Sequence, residues 1–121
     1  MKEFHGKTLR WNWRDGIVEV VLDREPLNEI GTSTLAELEQ FVAAFKQLVP
    51  VTSACIFSSA RPGGFCAGAD LKELYRGALP MPRRQRTMAT RKFLNRIHKV
   101  FNALDAAPFV TIAAVHGLCM G

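Results

Sequence analysis

The segment SSARPGGFCAGADLKEL, residues 58–74, constrains this chain more than any other. It starts at the end of ACIFS (residues 54–58), a short apolar run bounded by turn residues, which predicts a buried strand. Pro62-Gly63-Gly64 then forces a loop. Three small residues, Ala67, Gly68 and Ala69, precede a short helix expected over residues 70–76 and stopped by Gly77. The first N–H groups of a helix have no internal partner, and the helix dipole places partial positive charge there. Small residues beside them let a ligand approach the backbone closely. Such a turn can hold an anion or a developing oxyanion, or it can be a glycine-rich turn with no ligand. Pattern alone leaves both open. No Gly-Lys-Ser/Thr follows, which excludes a P-loop, and the glycine spacing excludes the dinucleotide fingerprint.

The rest of the chain supplies the frame. TLRWNW and IVEVVL flank Asp15-Gly16, which predicts two strands joined by a tight turn. Residues 32–49 read as a helix with Leu35, Leu38, Val42, Phe45 and Leu48 on one stripe. Thr34 and Glu37 form its expected capping box, and Pro50 closes it. Residues 77–87, with two prolines and three arginines, read as a mobile loop. Residues 88–104 return to helical periodicity, with Leu94, Ile97, Phe101 and Leu104 on one face. VTIAAV (residues 110–115) predicts a second buried strand. Strands alternating with helices argue for α/β layering and a largely parallel core sheet.

At 121 residues the chain is one domain's worth of sequence. Its composition, 48% hydrophobic and 22% charged, excludes a disordered or collagen-like polymer. No apolar run is long enough to span a bilayer. The N-terminus lacks a signal-peptide pattern, so a cytoplasmic location is the expectation. Cys55, Cys66 and Cys119 are odd in number and widely spaced, which favours buried reduced thiols over zinc or a disulfide framework. A net charge of +5 favours a polyanionic partner without choosing among nucleic acid, phospholipid and a phosphate-bearing ligand.

GGFCAGADLKEL resembles the signature of the enoyl-CoA hydratase/isomerase (crotonase) superfamily. Residues 17–24 (IVEVVLDR), with Leu27-Asn28, resemble that family's first long strand and loop, and residues 110–121 resemble the first part of its second signature. The resemblance implies an α/β, crotonase-like spiral of β-β-α units, of which residues 1–121 form the N-terminal portion, incomplete at the C-terminus. It implies an acyl-CoA thioester as substrate, no cofactor and no metal. It also implies a homotrimer or dimer of trimers in the full-length protein, and a place in fatty-acid metabolism.

Carried over residue by residue, the first oxyanion-hole amide falls on Ala69. The second falls on the residue just beyond Gly121, and the two hydratase glutamates lie further on. Substrate contacts fall on Glu25, Pro26 and Leu27 in the first loop and on Cys66, Ala67, Gly68, Asp70 and Leu71 around the turn. Met120 and Gly121 supply the contacts of the second signature. Asp70 either caps the helix or stands near the adenine. The loop of residues 24–28 is one residue shorter than the frequent arrangement, with Glu25 where proline is usual.

The alternative is a non-catalytic polyanion- or RNA-binding protein of the same fold. It would use the basic surface, with Trp11 and Trp13 stacking on bases, whereas in an acyl-CoA enzyme some of Arg83, Arg84, Arg86, Arg91, Lys92, Arg96 and Lys99 would meet the CoA phosphates. A solvated helix face and ordinary packing explain those residues more simply. His116 reads as a turn residue that hydrogen-bonds nearby rather than a base.

Overall fold

A computed structural model of the chain describes residues 2–121. Strand β1 (Glu3–His5), β2 (Leu9–Arg14) and β3 (Ile17–Leu22) form an antiparallel meander. The expected tight turn joins β2 and β3. Asp15 and Gly16 both have positive φ, 50° and 85°, the combination a two-residue hairpin matching strand twist requires. Alternation along the hairpin turns Leu9, Trp11, Val18, Val20 and Leu22 inward. The three-residue β1 is too short to show a period and was invisible in the sequence.

After a loop come helix α1 (Thr32–Ala43), a break at Ala44, the one-turn α2 (Phe45–Leu48) and a 3-10 turn over Val49–Val51. The single helix expected over residues 32–49 is thus divided. Pro50, which lacks an N–H, accompanies the tightening of its last turn. The expected stripe packs inward, but its centre is Phe41, which the stripe omitted. Phe41 is fully buried and meets Trp11, Phe45 and Phe57 with ring centroids 5.5, 5.2 and 6.0 Å apart.

The Thr34–Glu37 capping box does not form. The N-cap is Gly31, with no side-chain cap bond, and Thr34 lies inside the helix, its hydroxyl without a partner among the described residues. The buried Glu37 carboxylate instead accepts from the Lys7 and Thr8 amides and the Thr8 hydroxyl at 3.0, 2.7 and 2.6 Å.

β4 (Ala54–Ser59) runs parallel to β3, and β6 (Val110–Ala113) parallel to β4, giving a five-stranded sheet of order β1-β2-β3-β4-β6. Between β4 and β6 lie β5 (Gly64–Cys66), α3 (Leu71–Ala78) and α4 (Arg83–Asp105). Gly77 lies within α3 and does not stop it. The loop expected over residues 77–87 is mostly helix. Pro82 is the N-cap of α4, a position proline tolerates, and the arginines after it are good helix formers.

The buried stripe of α4 is Phe93, Ile97 and Val100. Leu94 and Phe101 of the expected face are exposed. β6 is also exposed along its whole length, contrary to the buried strand expected, because it occupies the sheet's edge with no described element over it. β7 (Leu118–Cys119) pairs parallel with β5 in a second, two-stranded sheet. Among the described residues, no helix is long and apolar enough to cross a membrane.

Candidate functional site

The site forms where the loop after β3 meets the turn between β5 and α3. Asn28 fixes the loop. It is buried with φ 59°, a conformation asparagine tolerates better than most residues. Its Oδ1 accepts from the Arg24 amide at 2.7 Å. Its Nδ2 donates to Ser59 Oγ and to the Phe65 carbonyl, both at 2.8 Å. The loop is thereby tied to the end of β4 and to β5.

From there it runs alongside residues 67–70. Ala67 N–H donates to the Leu27 carbonyl at 2.9 Å, Ile30 N–H to the Gly68 carbonyl at 2.8 Å, and Asp70 N–H to the Ile30 carbonyl at 3.0 Å. Gly68 N–H reaches the Cys66 sulfur at 3.4 Å. Every amide from Ala67 to Asp70 is therefore engaged except Ala69, whose N–H has no acceptor among the described residues. A buried or half-buried backbone N–H is ordinarily paired, so an unpaired one at the mouth of a helix is a donor held ready.

Gly68 has φ +87° and is packed against the chain's last residues. A Cβ there would come within 3.0 Å of Gly121 Cα and 3.1 Å of the Met120 carbonyl. Met120 N–H donates to the Cys66 carbonyl at 2.9 Å. Gly121 thus lies directly against the peptide that leads into Ala69.

Asp70 is the N-cap of α3, one of the two roles expected for it, accepting from Glu73 N–H at 3.1 Å. Arg24 Nη2 meets its other oxygen at 2.7 Å. Burial raises the Asp70 pKa. The Glu73 amide and the Arg24 guanidinium more than offset this, so the carboxyl is held below its ordinary value. Arg24 also donates to the Glu29 carbonyl. Glu73 reaches across to α1, accepting from Thr32 N–H and Oγ at 2.9 and 2.6 Å. It supplies the cap that Gly31 lacks.

The turn brings Leu27, Cys66, Ala67, Gly68, Ala69, Asp70, Met120 and Gly121 into one neighbourhood. Other candidates stand apart. The Glu25 side chain is 82% exposed and faces Arg61 at 3.4 Å. Pro26 is exposed, and Leu71 is 74% exposed on α3.

Asn28, Arg24 and Glu73 were missed as organisers of the site. Only Asn28 left a sequence signal, an asparagine in a loop that must turn sharply. An apolar cavity of about 290 Å³ has Leu22, Ile30, Phe57, Phe65, Cys66 and Ile112 among its lining residues.

Cys55 is buried, and its thiol is pushed up to about 12 by burial. Cys66 is half-buried, and Cys119 is exposed rather than buried as expected. Trp11 is 3% exposed, and the Lys2 ammonium stands over the Trp13 ring at 4.2 Å from its centroid, so neither tryptophan presents the open pair of stacking faces considered. Arg83, Arg86 and Arg91 border a shallow groove formed by α4 alone. Arg96 is paired with Glu39 at 2.5 Å. His116 contacts the Arg61 carbonyl at 3.0 Å, a structural partner distant in sequence.

A mixed sheet feeding a glycine turn, with a freed amide opening a helix, places the molecule in the crotonase class of α/β folds. The chain belongs to the enoyl-CoA hydratase/isomerase family, whose profile matches residues 12–121. Solved structures agree. The enoyl-CoA hydratase from Bacillus anthracis is 26% identical, with a TM-score of 0.74 over 92% of this chain and 40% of its own. The enoyl-CoA hydratase from Mycobacterium smegmatis is 27% identical, with a TM-score of 0.72 over 93% of this chain and 41% of its own. A Mycobacterium abscessus structure provisionally assigned as an enoyl-CoA hydratase/isomerase is 29% identical, with a TM-score of 0.75 over 93% of this chain and 42% of its own. The chain thus spans about two fifths of the length of these structures.

Proposed function

We propose that this chain is the portion of an acyl-CoA-acting enzyme that presents the first oxyanion donor to the thioester carbonyl. One observation carries the reading: the Ala69 amide is unpaired while its neighbours on both sides are fixed by the loop after β3. A donor held this way costs no reorganisation when charge develops on the thioester oxygen, and a comparable donor in other enzymes contributes roughly 3–4 kcal/mol. The contact between Gly121 and Gly68 supports a second donor contributed from just past the second signature.

The reaction is polarisation of the thioester, enolate stabilisation and proton transfer at the adjacent carbons, with hydration or isomerisation of an enoyl-CoA as the specific outcome. Leu27 and the backbone of residues 66–70 line the acyl-CoA. Asp70 contributes by holding α3 rather than by proton transfer, since both its oxygens are occupied. Acyl-CoA is the substrate and no cofactor is required. The complete enzyme is a cytoplasmic homotrimer or dimer of trimers.

The test is titration of the 15N-labelled chain with crotonyl-CoA, free CoA and an S-alkyl CoA thioether that lacks the carbonyl. The Ala69 amide resonance moves downfield with the thioester alone. Equal movement with the thioether, or none at Ala69 while other residues respond, overturns the assignment.

A further inference from the structure

We propose that Cys66 and Cys119 form a dithiol that a small-molecule disulfide converts into a cross-strand disulfide. The two lie 53 residues apart in sequence, yet they are register partners on the parallel strands β5 and β7, just past a register shift between Gly64 and Cys66. Directly opposed residues on neighbouring parallel strands project to the same face. Strands about 4.8 Å apart hold their Cα atoms within the span of about 4.4–6.8 Å that a disulfide bridges.

The register is pinned on both sides of the pair. Leu118 N–H donates to the Gly63 carbonyl at 3.2 Å, and Met120 N–H to the Cys66 carbonyl at 2.9 Å. Gly117 packs so closely on Gly63 that a Cβ would stand 2.6 Å from its carbonyl oxygen, so the two segments are in tight contact before the register shift as well as after it.

The two thiols have different surroundings, which orders the chemistry. Cys119 is exposed. Cys66 is half-buried, its S–H donating to the Asn28 carbonyl at 3.3 Å and its sulfur accepting from Gly68 N–H at 3.4 Å. The Cys119 thiolate attacks a disulfide RSSR, forming a mixed disulfide and releasing one RS⁻. Cys66, as its thiolate, then attacks the Cys119 sulfur and expels the second RS⁻. The two protons lost by the cysteines end on the two released thiolates. The sum is protein dithiol plus RSSR giving protein disulfide plus two RSH, so the protein is oxidised and the small disulfide reduced. Cys55, buried in the core, takes no part.

The experiment incubates the reduced chain with glutathione disulfide, quenches with acid, and counts thiols in denaturant alongside the intact mass. The three thiols fall to one, the mass drops by two hydrogens, and no glutathione remains attached. In Cys119→Ser, a change at an exposed position checked by circular dichroism, both remaining thiols survive the same treatment. Retention of all three thiols, a lasting glutathione adduct, a covalent dimer, or loss of thiols in Cys119→Ser each overturns the proposal.

Discussion

Gly68 is the residue on which the turn's geometry depends. Its φ of +87° lies where side chains are strained, and the space beside it is filled by backbone that cannot swing away. Gly68→Ala is expected to lower unfolding free energy by about 1–3 kcal/mol, read from urea denaturation. Gly77→Ala is the control: that glycine is inside α3 with nothing within 4 Å of a new Cβ, so the change is expected to stabilise by about 0.5–1 kcal/mol. Destabilisation by both would mean local crowding and φ are not what distinguishes them.

Asp70 gives a pH signature. Its carboxyl is held below the ordinary 3.8, so the unfolded chain binds its proton more readily than the folded one. The stability it contributes is whole above the ordinary value and disappears as pH falls below 3.8 through the lower folded value. Asp23 and Glu39 carry shifts of the same sign through Arg61 and Arg96, so the acid limb is shared. Asp70→Asn, which keeps the cap and removes the charge, is expected to make that limb shallower in denaturation midpoints measured across pH. An unchanged limb would show that Arg24 does not favour the charged form.

The clearest case among the secondary-structure elements is the start of α1, capped by a residue of another helix. Glu73 of α3 accepts from Thr32 N–H and Oγ, in place of a cap within α1. Glu73→Ala is expected to cost about 1 kcal/mol and to speed hydrogen exchange at the first amides of α1. Exchange confined to α3 would instead assign Glu73 to its own helix.

The same arrangement explains what could be read in advance. The β2–β3 hairpin, β4, the Asp70 cap and the Leu35–Leu38 part of α1's buried face were legible because their determinants lie within a few residues: Asp15-Gly16, a short apolar run, a capping aspartate, a stripe at helical spacing. The true cap of α1 was not, because its partner lies 41 residues away. Glu37, which fits a local capping box, is claimed by Thr8, 29 residues away. At α4 the error was one of weighting, with prolines counted as breakers when Pro82 stands where a helix begins. Of the site, the glycine turn and Ala69 were visible as a pattern. The free state of that amide was not, since it follows from which neighbours the loop after β3 engages.

At the scale of the molecule, a well-packed interior contrasts with an open side. Trp11, Phe41 and Phe109 are under 8% exposed, whereas Val110, Ile112, Val115 and Met120 are 46–63% exposed. The apolarity of VTIAAV was therefore a correct sign of a strand and a misleading sign of burial. Burial depends on what covers a sheet edge, which a strand's own composition does not specify.

The open side also bears on catalysis. Carboxylates near the turn already have partners: Asp70 with Arg24 and the Glu73 amide, Glu73 with Thr32, and Glu29 Oε1 with Leu27 N–H at 2.9 Å. None of these is free to position water against an enoyl group beside Ala69. General acid–base catalysis is worth about 10²–10⁴-fold. With these carboxylates engaged, the chain is expected to bind crotonyl-CoA yet hydrate it about 10²–10⁴-fold more slowly than an intact hydratase. The loss of enoyl-thioester absorbance measures this directly. Turnover near that of an intact hydratase would mean that a carboxylate assigned here to structure is leaving its partner to do the chemistry. Replacing Glu29, Asp70 and Glu73 one at a time would then identify it by the collapse of rate.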